Sequence, residues 1–294
     1  MSSVSEEQSV QKSNPLNVAA LRAALLRPVG GYAAVDVVEH TGSTNVDLAA
    51  AARAGAGDRT VLIAEEQTAG QGRRTRPWVS PPGTGLYLSV LLRPTDVPLA
   101  KLPWLALVAG IALARTAEWV GVEAALKWPN DLLLGSPRKK AAGVLAEVIS
   151  EAAPHGTGKS LAVVLGIGLN INHLPPDVPL GAGGLGATSL ADEGAIETDR
   201  TALAIRLLSE FATAEKAWRD HGGDSATSGL KEQYRRRCET IGKQVRVEVP
   251  GGREVTGLAE DLGNDGTLLV RSDDGTERSL SAGDVVHVRA GNAG

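Results

Sequence analysis

Apolar side chains recur along this chain at two different spacings, and each spacing predicts a different element. In five segments leucine, alanine or valine repeats every three or four residues, which is typical of a helix that buries one face. The predicted helices are residues 16–27, 47–54, 99–120, 200–218 and 230–238. The longest of them, 99–120, also carries tryptophan at helical spacing, so we expect it to be a long packed helix.

Shorter apolar runs predict strands between these helices. They are residues 32–38, 61–64, 86–92, 142–149 and 161–171. The last two flank a polar segment, and short apolar strands around a tight polar connection favour a β-hairpin. We therefore expect a sheet with this hairpin in its middle.

The spacing of apolar residues changes after Gly242, where apolar and polar residues begin to alternate with period two. Residues 245–249 alternate in this way, turn signals follow, and 284–288 supply a last strand. Several short strands separated by turns predict a small β-barrel. The predicted organisation is a disordered leader at 1–15, a large domain at 16–239 and the barrel at 240–290.

Composition restricts the class of protein and of partner. Of the 294 residues, 43% are hydrophobic, so the chain is long enough to bury a large core. The N-terminus lacks the pattern of a secretory signal, and no stretch approaches ~20 uninterrupted apolar residues. A formal net charge of -4 argues against duplex DNA as the main partner. We expect a cytoplasmic protein that binds neither DNA nor a membrane.

Cysteine and histidine usage argues against two kinds of site. Cys238 is the single cysteine, so an intrachain disulfide and a multi-cysteine metal site are excluded. The five histidines show no ligand spacing, which argues against a zinc site. Residues 156–160 end like a phosphate-binding P-loop, but they lack its first glycine and precede a strand, which favours a hairpin tip.

Positive charge is concentrated at one proline turn of this otherwise acidic chain. Lys127, Asn130 and Asp131 surround the proline, and Lys139 and Lys140 follow shortly after. A local basic cluster in an acidic protein indicates a site for a polyanion rather than a broad nucleic-acid surface. A nucleoside triphosphate is the first candidate.

A second basic segment, residues 67–78, comes directly after a predicted strand. It contains glycines, which let the backbone approach a ligand closely, and three arginines, whose charge is kept at physiological pH. A phosphate-clamping loop and a mobile surface loop are equally compatible with this composition.

Two polar motifs also have two interpretations each. Ser43, Thr44 and Asn45 stand before a predicted helix, where such residues are first of all caps, although their side chains also suit a polar head group. Residues 166–172 end a strand and contain two glycines and two asparagines. They are either a closely packed strand end or a holder of metal-bound phosphate.

Together these motifs resemble the biotin protein ligases, which attach biotin to acetyl-CoA carboxylase and related carboxylases. Four motifs match in order: 42–45, 67–78, 127–131 with Lys140 three residues before Gly143, and 166–170. The resemblance implies an α+β fold with a mixed, mostly antiparallel central sheet and flanking helices, as in the class II synthetase-like biotin and lipoate ligases, followed by an SH3-like barrel. It also implies ATP with Mg²⁺, biotinyl-5′-AMP as the intermediate, and a biotin carboxyl carrier domain as acceptor.

The resemblance implies roles for individual residues. Lys140, Arg73 and Asp131 are the implied catalytic residues, and for Asp131 a structural ion pair is the alternative. Lys139 is expected to face solvent. The residues implied to bind biotin are Ser43, Thr44, Asn45, Gln67, Gly70, Gln71, Gly72, Arg73, Lys140, Gly143 and Gly168. Those implied to bind ATP or its phosphates are Arg73, Arg76, Trp78, Lys127, Asn130 and Asn170, with Mg²⁺ near the two asparagines.

The chain departs from the family pattern at Gln71, where many relatives have arginine, so this position brings no charge to a phosphate. No winged-helix module fits residues before 15, and we expect a form without the N-terminal DNA-binding domain. A lipoate or octanoate ligase, which shares the adenylation chemistry, is the main alternative. A biotin sensor without catalysis is a further one, and both a monomer and a homodimer remain open.

Overall fold

The computed structural model describes residues 14–152, 159–181, 183–249, 251–281 and 283–287. The first thirteen residues of the predicted leader and residues 156–158 of the P-loop-like segment lie outside these ranges. The helices are α1 Val18–Leu25, α2 Thr44–Arg53, α3 Trp104–Trp119, α4 Arg200–Asp220 and α5 Leu230–Arg237. The strands are β1 Ala34–Thr41, β2 Thr60–Gln67, β3 Gly85–Leu92, β4 Ala124–Lys127, β5 Asp131–Leu134, β6 Lys139–Ala152, β7 Lys159–Asn170, β8 Gln244–Glu248, β9 Glu254–Leu262, β10 Leu268–Arg271, β11 Glu277–Leu280 and β12 Asp284–His287.

Seven strands form the central sheet, in the order β1-β2-β3-β7-β6-β5-β4. Only β1 and β2 pair in parallel among the described strands of this sheet, and the other neighbours are antiparallel. The predicted hairpin is confirmed as β6 and β7, and its register places Gly143 opposite Gly168. The mixed, mostly antiparallel sheet with flanking helices is therefore confirmed.

Alternate side chains of β3 enter two separate hydrophobic clusters, because successive residues of a strand point to opposite faces of the sheet. Leu86, Leu88 and Val90 lie in the main core, which also contains the buried faces of α1, α3 and α4. Leu91 lies in a smaller cluster with Leu48 of α2. Helix α2 thus covers the face of the sheet opposite to the other helices.

Helix α3 is buried nearly all round, which explains its uniformly apolar sequence. By length and composition the segment Leu99–Trp119 is apolar enough to cross a membrane, but 67% of its most apolar window is buried inside the protein, as in a core helix. The prediction of one helix over 99–120 was wrong at its start. Pro103 has no amide hydrogen, so Leu99–Lys101 forms a separate 3₁₀ turn and α3 begins at Trp104.

The proline turn predicted at residues 127–131 is the tip of a short hairpin. Strands β4 and β5 pair with Lys127 opposite Asp131, and neither strand was predicted from the sequence. The hairpin brings the lysine and the carboxylate to the same end of the sheet.

The C-terminal unit is a five-stranded antiparallel sheet in the order β11-β10-β9-β8-β12, and it docks on two buried tryptophans. Trp104 Nε1 donates to the carbonyl of Asn264 at 3.0 Å, and Trp128 Nε1 donates to that of Gly266, also at 3.0 Å. Both acceptors belong to the turn between β9 and β10. The tip of the β4–β5 hairpin is therefore fixed between the two units.

Candidate active site

One cavity gathers every predicted site residue except Gly70. Its lining comes from the start of α2, the loop after β2, the β4–β5 tip, the β6–β7 hairpin and the start of β12. Gly70 lies behind this lining, where its carbonyl accepts a hydrogen bond from Trp78 N at 2.8 Å. A Cβ atom at position 70 would stand 2.6 Å from the Trp78 carbonyl oxygen, so glycine permits this close approach.

One end of the cavity is a cluster of hydrogen-bonded polar side chains. Thr44 N donates to Gln67 Oε1 at 2.9 Å, and Thr44 Oγ1 lies 2.7 Å from Ser89 Oγ. Ser89 Oγ donates to Asn45 Oδ1 at 2.6 Å. Ser43 is the N-cap residue of α2, but its hydroxyl makes no capping hydrogen bond. The capping interpretation therefore does not account for the side chains of this motif, which suit a polar ligand.

The middle of the cavity has a floor of glycine. Gly143 and Gly168 are cross-strand partners, and the indole of Trp78 lies against both. A Cβ atom at position 168 would stand 2.4 Å from the indole nitrogen, and one at position 143 would stand 3.2 Å from Lys140 Nζ. Lys140 Nζ also lies 5.5 Å from the centre of the indole ring. This part of the cavity therefore has room only for a flat or narrow group.

Two lysines stand at the other end of the cavity in different electrostatic environments. Lys140 Nζ forms an ion pair with Asp131 Oδ1 at 2.6 Å, as the structural alternative for Asp131 proposed. Lys127 is buried, and no ion pair or hydrogen bond to its ammonium occurs among the described residues. Burial lowers the pKa of Lys127, although the charge of Asp131 opposes this shift. Lys139 is exposed, as predicted.

The glycine and arginine loop is held to the C-terminal sheet by charge. Arg73 Nη1 donates to the carbonyl of Gly283 at 3.0 Å, and Arg74 Nη1 lies 3.1 Å from Asp284 Oδ2. Arg76 pairs with the same carboxylate. The loop is thus attached at its tip, and three cations converge beside the cavity around one acidic residue.

The carboxyl group of Asp284 is buried yet ionised. Burial raises its pKa, but the hydrogen bond and charge of Arg76, together with the charges of Arg74 and Arg73, outweigh burial and hold the pKa below its ordinary value. A carboxyl group whose pKa is depressed by folding stabilises the folded protein above its unfolded pKa of ~3.9. This contribution is lost as the pH falls through the folded pKa.

Asn130 and Asn170 are both anchored through their amide nitrogens. Asn130 Nδ2 donates to the carbonyl of Val144 at 2.9 Å, and Asn170 Nδ2 donates to that of Thr188 at the same distance. Their amide oxygens are thereby oriented as acceptors. In the described ranges no group of three or more His, Cys, Asp or Glu side chains is placed to hold a metal.

Three parts of the site were missed by sequence analysis. Ser89 is the centre of the polar cluster. Apart from Tyr87, it is the one residue with a hydroxyl group in a strand of glycine and aliphatic residues, and that isolation was the available signal. Asp284 opens the last strand without any recognisable spacing to the arginines it meets. Leu174, Leu180 and Leu185 line the cavity from the connection between β7 and α4.

Replacing Asp284 by asparagine is expected to loosen the arginine loop. The substitution removes the shared charge partner of Arg74 and Arg76, so limited trypsin digestion should cut the loop about tenfold faster or more, the equivalent of one charge-assisted hydrogen bond. Glu248→Gln is the matched control, because Glu248 is half exposed and pairs with Arg74 alone. Equal cleavage rates for the two variants would contradict the attachment through Asp284.

The chain matches two families of known proteins. Residues 40–170 match the Biotin/lipoate A/B protein ligase family, and residues 240–288 match the Biotin protein ligase C terminal domain. A biotin--[acetyl-CoA-carboxylase] ligase of Mycobacterium tuberculosis is 43% identical over 280 residues, which are 94% of this chain and 97% of that protein.

Solved structures of biotin protein ligases are similar in fold. The Aquifex aeolicus enzyme in complex with biotin and ATP superposes with a TM-score of 0.68 at 25% identity, covering 88% of this chain and all of that one. The Leishmania major enzyme in complex with biotinyl-5-AMP gives a TM-score of 0.54 at 27% identity, covering 85% and 99% of the two chains. The chain belongs to the biotin protein ligases of the biotin/lipoate A/B protein ligase family.

Proposed function

We propose that this protein is an ATP-dependent biotin protein ligase, which activates biotin as biotinyl-5′-AMP and transfers it to a lysine of a biotin carboxyl carrier domain in the cytoplasm. The observation that carries the proposal is one continuous cavity with a hydrogen-bonding end, a glycine floor and a cationic end. The relatives support it, because they include a ligase named for acetyl-CoA carboxylase and enzymes crystallised with biotin, ATP and biotinyl-5-AMP.

The cavity fits biotin in one direction. The ureido head group would bind at Thr44, Asn45 and Gln67, where hydrogen-bonding groups are preorganised. The narrow aliphatic tail would cross Gly143 and Gly168, with the indole of Trp78 moving outward to cover it. The carboxylate would then reach Lys140 at the far end of the floor.

The first step joins the biotin carboxylate to the α-phosphate of ATP. A carboxylate oxygen attacks the α-phosphorus, the bond from that phosphorus to the bridging oxygen breaks, and pyrophosphate leaves with the electron pair. Negative charge accumulates on the α-phosphate oxygens during this displacement, and fixed cations stabilise it. Lys140 would exchange Asp131 for the biotin carboxylate and the α-phosphate, while Lys127, already desolvated, would contact the other phosphates.

Magnesium would enter this site with ATP rather than bind beforehand. The oriented amide oxygens of Asn130 and Asn170 are suitable ligands for a hard cation, but the phosphates would supply the rest of its coordination shell. When bound, the ion would neutralise phosphate charge and orient the leaving pyrophosphate.

The arginine loop would retain the reactive anhydride. Arg73 and Arg76 contact acceptors at the C-terminal sheet, Gly283 and Asp284, which adjoin the cavity. An adenylate phosphate would compete with these acceptors for the arginines, and the loop would close over the ligand. Exclusion of water protects an easily hydrolysed mixed anhydride.

The second step transfers the biotinyl group to the carrier protein. The neutral lysine amine of the acceptor attacks the carbonyl carbon of the anhydride, the bond from this carbon to the phosphate oxygen breaks, and AMP leaves. Once Lys140 has turned to the phosphate, Asp131 is released to orient the incoming amine and to accept its proton.

Formation of the acyl adenylate tests the proposed function directly. The protein is incubated with MgATP and either biotin or lipoate, and the products are separated and weighed by mass spectrometry. We expect biotinyl-AMP with biotin and no lipoyl-AMP with lipoate, because the aliphatic end of lipoate offers no hydrogen-bonding partner to the polar end of the cavity. Lipoyl-AMP alone would identify a lipoate ligase, and no adenylate with either acid would leave only a binding function.

Replacing Lys140 by alanine is expected to slow adenylate formation by a factor of about 100 or more, since it removes a cation that strengthens its contact in the transition state. The exposed neighbour Lys139 supplies the matched control, and Lys139→Ala should change the rate by less than about twofold. Circular dichroism checks that the Lys140→Ala variant, whose Asp131 has lost its partner, remains folded. A folded, fully active Lys140→Ala protein would refute the assigned role.

A further inference from the structure

We infer that Glu147, which lies outside the cavity lining, fixes the direction of the hydrogen-bond chain at the polar end and thereby makes Thr44 an acceptor for a ligand N–H group. The inference rests on the proposed function, and it deepens that function by naming a positioning residue for head-group specificity. Every link of the chain is a contact between described side chains.

The hydrogen-bond chain begins on strand β6. Leu145 of this strand lines the cavity, and Glu147, two residues further along, lies beyond the lining. Asn45 Nδ2 donates to Glu147 Oε2 at 2.6 Å and, at 3.5 Å, approaches the carbonyl oxygen of Leu145. Rotating the amide by half a turn would set Asn45 Oδ1 against both of these acceptors. Because neither a carboxylate nor a carbonyl donates a hydrogen bond, both acceptors favour one amide orientation, and Glu147 at 2.6 Å is the stronger of the two.

The amide orientation then decides the two hydroxyl groups behind it. Asn45 Oδ1 faces Ser89, which is fully buried, so the hydroxyl proton of Ser89 is given to Asn45 at 2.6 Å. The hydroxyl group of Ser89 has only one proton, so its oxygen can only accept a hydrogen bond from Thr44. Thr44 Oγ1 therefore donates to Ser89 at 2.7 Å, in preference to Gln67 Oε1 at 3.1 Å.

The hydrogen-bond chain therefore presents a fixed pattern of donors and acceptors to the cavity. The proton of Thr44 is committed to Ser89, so the hydroxyl presents lone pairs to the cavity. Gln67 Oε1 is occupied by Thr44 N, and Gln67 Nε2, which donates to Ser80 Oγ at 3.2 Å, has a second hydrogen to offer. One acceptor beside one donor is complementary to the N–H and C=O groups of a cyclic urea.

Glycine at position 166 secures the first link. A Cβ atom there would stand 2.3 Å from Asn45 Oδ1. The amide can therefore lie against β7 and reach β6 only because position 166 has no side chain. The glycine sets where the amide lies, and the carboxylate sets which way it points. Glu147 is consequently a positioning residue that acts through three other side chains without contacting the ligand.

Ligand analogues test the direction of the chain. The dissociation constants of biotin and of two analogues, in which one or the other ureido N–H is replaced by a ring oxygen, are measured calorimetrically without ATP. For the wild-type protein, replacing the N–H that faces Thr44 should weaken binding about tenfold, since an oxygen would meet the lone pairs of Thr44. Glu147→Lys replaces the nearer acceptor by a donor and leaves only the distant Leu145 carbonyl to oppose the flipped amide, so the hydrogen-bond chain can reverse and this penalty should shrink to less than about threefold.

Two further variants separate this effect from general damage. Glu147→Gln still accepts a hydrogen bond from Asn45, and it should keep most of the penalty. Glu39→Lys makes the same charge change at an exposed position of β1 and should keep all of it. Adenylate formation at saturating biotin and the KM for ATP should stay within about twofold in all three variants, because a positioning residue at the head group acts on binding.

The possible results lead to different conclusions. An unchanged penalty in Glu147→Lys would overturn the inference, and so would an equal weakening of all three ligands with a lower melting temperature, since that indicates a structural role alone. If the wild-type protein binds neither biotin nor the analogues, the proposed function fails instead. A penalty that shrinks in Glu147→Lys and persists in the other two variants would establish the chain.

Discussion

The indole of Trp78 lies so close to β6 and β7 that no side chain can stand at Gly168, and the form of the whole site depends on this contact. The two strands pair with Gly143 opposite Gly168, so the restriction applies across the sheet and creates a floor without side chains. The floor connects a hydrogen-bonding end to a cationic end. A ligand that touches both ends must therefore be narrow in its middle, as an acyl chain is.

Charge at the cationic end is partly balanced before any ligand arrives. Asp131 pairs with Lys140, and Asp284 pairs with Arg74 and Arg76, so these cations are held in place by carboxylates. A phosphate would replace these carboxylates one for one. Asp284 belongs to the C-terminal sheet, which explains physically how a small appended unit contributes to the site of the large one.

Much of the fold followed from the sequence because periodicity acts locally, and most of the site residues followed from motifs that resemble those of the biotin protein ligases. The β6–β7 hairpin and the core helices were predicted from spacing, and the lysine, arginine and glycine motifs were gathered by the fold into one cavity. Contacts between distant segments were not predictable. Asp284 meets Arg76 across 208 positions, and Ser89 meets Asn45 across 44, with no pattern in the sequence that joins them.

The most direct test of this account is the affinity of a non-hydrolysable biotinyl-adenylate analogue for the Gly168→Ala variant, measured by calorimetry beside the wild-type protein. The added methyl group would occupy the floor, so binding should weaken at least about tenfold. Gly57→Ala is the control, because a Cβ atom at that position meets nothing within 4 Å. Wild-type affinity in the folded Gly168→Ala variant would contradict the claim that the acyl chain of the adenylate crosses the glycine floor.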